Sequence, residues 1–124
     1  MTSLHEKPFI FSQDSFLESQ PFGLDQIPFK IIIQLHKLSD QTSNEYFVSL
    51  SHFLKTPLRS IAPPVNQFGQ TIVYRAVDNE KAFETIKESF KYAFNNAKKG
   101  GLMPDNSWLI PNSEFVAFNK KKVQ

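Results

Sequence analysis

DNEKAFETIKESFKYAFNNAKKG, residues 78–100, carries the start, the period and the stop of one long helix. Asp78 or Asn79 offers a side-chain oxygen to the orphan amides of a first turn, and Glu80 places negative charge at the amide end. Ala82, Phe83, Ile86, Phe90, Ala93, Phe94 and Ala97 then recur at intervals of three and four, which puts them on one apolar stripe. Lys98 and Lys99 complement the carbonyl end, and Gly100 is the residue best able to leave the helix in a left-handed conformation. Caps, period and charge agree on a helix over residues 79–99. Its single apolar stripe requires a flat apolar surface to lie on.

That surface is supplied upstream. Phe29 to Leu38 (FKIIIQLHKL) is enriched in β-branched residues and alternates, with Phe29, Ile31, Ile33 and Leu35 on one face and Lys30, Ile32, Gln34 and His36 on the other. Pro28 suits the position before a strand, where an amide hydrogen is dispensable. The polar second face predicts a sheet covered mainly on one side, with His36 facing solvent, and hence antiparallel or mixed pairing. Ser39 to Asn44 is a polar turn, and Glu45 to Leu50 resumes as a strand, forming a hairpin with a longer loop. Beyond it, Ser49 or Ser51 either caps a short helical turn or lets the strand continue. Pro57 to Gly69, with adjacent Pro63 and Pro64, reads as a rigid loop inside one domain. Gln70 to Val77 predicts a further strand. Trp108 to Ile110 and Phe115 to Phe118 read as two short pieces that close the sheet.

The expectation is an α+β domain with a small antiparallel or mixed sheet of about four to five strands packed on one long amphipathic helix. Residues 29–119 form the domain, residues 1–28 an ordered N-terminal arm packed on the domain or on a partner, and residues 120–124 a flexible basic tail. In the arm, Ser12 caps a turn starting at Gln13, or Ser15 forms a capping box with Glu18, and Pro21 with Gly23 ends the turn.

Composition narrows the function. The 124 residues include 13 Phe but one Trp and three Tyr, so phenyl rings are the expected core filler. They are more than a core of this size needs, which leaves some for a groove or interface. With no cysteine, disulfides, Cys-based zinc sites, iron–sulfur ligation and a thiol nucleophile are excluded. No export signal or bilayer-length apolar run is present, which predicts a cytoplasmic protein without a membrane partner. Residues 1–62 carry five basic and six acidic groups and residues 63–124 carry nine and six. Lys120, Lys121 and Lys122 account for the second excess, and a net charge of +2 does not single out a nucleic-acid binder.

Motifs for chemistry are missing. His5, His36 and His52 have no metal-ligand spacing, no phosphate loop is formed by the four glycines, and Gly-x-Ser-x-Gly does not occur. His52 reads as capping or packing near a turn. Glu84 and Glu88 alternate with Lys81, Lys87 and Lys91 as a charged solvent face of the helix. No cofactor, metal or catalytic residue is expected; enzyme status is left open, with a non-enzymatic role favoured. The leading expectation is a non-enzymatic protein-binding module (an inhibitor, immunity-like protein, adaptor or assembly subunit) that uses Phe9, Phe11, Phe16 and Phe22 against another protein or a second copy of itself. The alternative is a nucleic-acid-associated accessory protein using Lys30, Lys37, Arg75, Lys120, Lys121 and Lys122. An enzyme of unrecognised type ranks below both.

Overall fold

The computed structural model describes residues 7–38, 44–58 and 61–119. The hairpin loop 39–43 and the basic tail with Lys120, Lys121 and Lys122 lie outside the described residues.

Strands β1 (Phe16–Gly23), β2 (Lys30–His36), β3 (Tyr46–Leu50) and β6 (Thr71–Val73) form an antiparallel sheet in the order β1-β2-β3-β6. Strands β4 (His52–Lys55), β5 (Ile61–Ala62) and β7 (Leu109–Pro111) form a smaller antiparallel sheet in the order β5-β4-β7. The two sheets meet at Ser51, the single residue between β3 and β4. Its amide donates to the Ile32 carbonyl at 3.0 Å, while its hydroxyl accepts the Ile32 amide at 2.8 Å. Asn112, just past β7, donates its amide to the Ser51 carbonyl at 2.9 Å. A hydroxyl thus takes over one ladder bond at the corner where the strand changes sheets.

Helix α1 (Asn79–Lys99) has the bounds its caps predict. Asp78 Oδ1 accepts the Lys81 amide at 2.9 Å. Its buried residues are Ala82, Phe83, Ile86, Phe90, Phe94 and Ala97, with Ala93 half-buried beside them. They pack on Ile31, Ile33 and Leu35 of β2 and on Tyr46, Val48 and Leu50 of β3, all in one core cluster. Trp108 closes the end of that core edge-on to Phe94, with ring centroids 6.0 Å apart. The left-handed residue at the helix exit is Gly101 (φ 87°), one position later than expected, since Gly100 keeps φ −78°. The Leu102 amide reaches back to Ala97 at 3.1 Å and the Gly101 amide to Lys98 at 2.9 Å, a Schellman closure with Leu102 against the core.

Several expectations are corrected by what neighbours do. The arm turn forms at Ser12, whose hydroxyl accepts the Ser15 amide at 3.2 Å, but the chain then enters β1. Pro21 therefore sits inside a strand, opposite Ile32, and is tolerated because β1 is an edge of the sheet. Only three of the eight residues from Gln70 to Val77 stay in the β ladder, and Tyr74 and Val77 are exposed. Residues 115–118 make no strand.

The largest correction concerns the face of β2 turned away from the helix. Gln34, His36, Phe47 and Ser49 are all buried, because the segments 8–15 and 115–119 cross over them. The sheet is covered on both sides. Three phenyls of the helix, Phe83, Phe90 and Phe94, pack between it and the sheet, and Phe9, Phe11, Phe16, Phe47 and Phe118 build this second layer.

Candidate functional site

In each terminal segment one phenylalanine is gripped by a glutamine. Gln34 Nε2 donates to the Phe118 carbonyl at 2.8 Å while its Oε1 accepts the Phe118 amide at 2.9 Å. Gln70 does the same for Phe9, donating to its carbonyl and accepting its amide, both at 2.9 Å. A primary amide has a donor and an acceptor side by side, so it can replace one rung of a β ladder. Neither fastening needs a paired strand, which is why the two segments run extended without joining a sheet.

His36 sits at the centre of the layer they form. Its imidazole is 0 % exposed and ringed by Phe11 at 4.7 Å, Phe118 at 5.3 Å, Phe16 at 5.6 Å and Phe9 at 6.3 Å between centroids. Phe9 also stacks on Phe47 at 4.0 Å with the planes 9° apart. Ser15 Oγ lies 2.7 Å from Nδ1 and donates to the Ser12 carbonyl at 3.0 Å, so the bonding pattern assigns the imidazole hydrogen to Nδ1. Nε2 is then a bare nitrogen, buried with no hydrogen-bond partner. Burial of this ring lowers its pKa from 6.5 to about 4, leaving it uncharged at neutral pH. The Ser15–His36 pair has the separation of a nucleophile and its base, but both residues are buried and the imidazole is a weak base.

Between the two fastened segments lies a groove of about 460 Å³. Its floor is β3 at Val48, Ser49 and Leu50, one wall is Pro8 to Phe11, and the other runs from Asn112 to Phe118. Phe53 of β4 and Gly69 to Thr71 close the ends. Ile10, 77 % exposed, and Val116, 59 % exposed, stand on opposite rims. Asn112 fixes the second wall at the sheet corner, with Nδ2 donating to the Leu50 carbonyl at 2.9 Å and Oδ1 accepting the Glu114 amide at 3.1 Å.

Of the four arm phenylalanines singled out in the sequence, Phe9, Phe11 and Phe16 converge around His36, and Phe9 and Phe11 line the groove. Phe22 points to the other side of the sheet and stacks on Phe90 at 5.8 Å. Lys30 and Lys37 stand at opposite ends of β2, roughly 20 Å apart at a strand's rise per residue. Lys37 caps the Tyr46 ring at 4.8 Å, and Arg75 is exposed beyond β6. His36, expected on a solvated face, is the buried hub, whereas His52 is half-buried on β4 with Nδ1 2.9 Å from Ser51 Oγ. Sequence reasoning missed Gln34, Gln70, Phe53, Asn112 and Glu114. The only signal for the first was a polar pair, Gln34 and His36, on a strand in a chain with surplus phenyl rings.

Among the described residues no group of three or more His, Cys, Asp or Glu side chains is placed to hold a metal ion, and no helix is long and apolar enough to cross a membrane. No family model, curated protein or solved structure matches the chain.

Proposed function

We propose that the chain is a non-enzymatic protein-binding module that seats an extended, apolar segment of another protein in the groove between its two terminal segments. The observation that carries this reading is the pair of glutamine fastenings. The face of the sheet beside the groove already holds two extended segments, one on either side, each gripped at a phenylalanine by a glutamine side chain and by phenyl packing. A third extended segment laid between them meets the same kind of surface: a β floor with phenyl walls. The volume of about 460 Å³ accommodates a few side chains rather than a folded element. Recognition is of the extended-peptide kind, with alternate side chains pointing into the groove.

Selection from a displayed random-peptide library tests it. Enriched peptides should alternate bulky apolar and small residues, and their binding should be lost in Ile10→Asp and Val116→Asp. Both positions are exposed, so these variants should keep the wild-type helicity and melting temperature. A library that yields no enriched peptide, or peptides whose binding neither variant disturbs, removes the groove from this role.

A further inference from the structure

We infer that the groove selects an occupant carrying a positively charged side chain, a lysine or arginine placed among its apolar residues. The inference rests on the groove being a peptide seat and adds which peptides it takes. Glu114 is the one charged residue lining the groove, and no Lys, Arg or His lines it among the described residues. Neither a hydrogen bond nor an ion pair ties its carboxylate to another described residue. Its main chain, by contrast, is held firmly, since Asn112 accepts the Glu114 amide and is itself bonded to the sheet corner at Leu50 and Ser51. An exposed carboxylate on an anchored main chain, lining the same groove as Phe9, Phe53 and Phe118, gives that groove two complementary elements: apolar surface for a side-chain stem and a negative group for its head. Lysine and arginine have that composition, with a hydrocarbon stem that packs on apolar surface and a head that seeks an acceptor. The chain already seats its own lysines this way, Lys98 over Phe94 at 5.4 Å with its ammonium 3.8 Å from Asp25. A peptide bearing Glu or Asp at the same place would face like charge.

The experiment uses blocked, fluorescently labelled octapeptides of alternating apolar and small polar residues. A Lys, a norleucine or a Glu is moved in turn through each position. Binding to the full chain and to E114Q is followed by fluorescence anisotropy at 50 mM and 500 mM salt. Because the carboxylate is at the surface, E114Q should fold as the wild type does, with equal helicity as the control. At one position the Lys peptide should bind roughly three- to tenfold tighter than its norleucine twin, with the gap closing in E114Q and narrowing at high salt. The Glu peptide should be the weakest. If Lys and norleucine peptides bind alike, or the gap survives in E114Q, charge selection is wrong and the peptide seat stands. If no peptide of any version binds, the seat itself is wrong.

Discussion

Gln34 holds Phe118 by both of its main-chain polar groups, at 2.8 Å and 2.9 Å, although 84 residues separate them in the chain. Gln34 is 2 % exposed, so its amide has no access to water as an alternative partner. Replacing it by leucine leaves the Phe118 amide and carbonyl without their partner and also gives up the Gln34 bond to Ser19 Oγ. Gln34→Leu should release residues 115–119 from the sheet and cost about 1–3 kcal/mol. Urea unfolding reads the loss, and amide exchange at Phe118 should accelerate well before that of β2. An unchanged exchange rate at Phe118 would mean that ring packing alone holds the segment.

Acid should weaken the fold through His36. The unfolded chain binds a proton on this imidazole near the ordinary 6.5, whereas the native chain does so only near 4. Between those values the unfolded state holds more protons, so stability falls as pH drops through the window and levels off below about 4. Above 6.5 both states are neutral and the ring contributes no slope. The loss is bounded by about 3 kcal/mol. His36→Leu should flatten the profile between pH 6.5 and 4 even if it lowers stability overall. Equal slopes in wild type and variant, measured by denaturant midpoints, would refute the assignment.

Phe90 is fully buried in the middle of α1 and stacks on Phe22 of the edge strand. Phe90→Ala should cost about 3–5 kcal/mol, a large part of the stability of a domain this size. Tyr92, two residues away on the same helix and exposed, sets the contrast, because Tyr92→Ala should change stability by less than about 0.5 kcal/mol. Thermal unfolding of the two variants side by side should separate them by many degrees.

The helix start depends on Asp78, whose carboxylate accepts the Lys81 amide. Asp78→Ala should destabilise by about 1 kcal/mol and Asp78→Asn by much less, since asparagine keeps the accepting oxygen. Burial of the ring raises the pKa of the Tyr46 phenol, and the nearby Asp78 carboxylate raises it further. Spectrophotometric titration of the tyrosines should therefore show one phenol ionising earlier in Asp78→Ala than in the wild type.

How far the sequence could be read depended on how local the cause was. Helix α1 was legible to the residue because Asp78, the stripe from Ala82 to Ala97 and the lysines at its end all lie within it. The face of β2 toward the helix was equally plain, since Ile31, Ile33 and Leu35 repeat every second residue. The opposite face misled. Gln34 and His36 have the polarity of solvent-facing residues, and what buries them arrives from positions 9–16 and 118. The short β6 and the unpaired run 115–118 were missed for the same reason, because apolar alternation records a buried face but not whether a neighbouring strand is available to pair. Phe22 lies on the other side of the sheet from Phe9, Phe11 and Phe16; plain alternation along β1 would put Phe16 and Phe22 on one face, and the register shift between Phe16 and Glu18 separates them. The groove could not be anticipated at all, since its lining comes from five separate parts of the chain.

Each retaining wall is tied down by a few isolated bonds rather than by a row of rungs: Gln34 and Asn112 hold one, and Gln70 with the Lys37–Ser15 main-chain bond holds the other. Detaching either wall forfeits those few bonds and its phenyl packing while the ladders of both sheets and the helix keep their own hydrogen bonds, so the local cost of opening is set apart from the stability of the whole molecule.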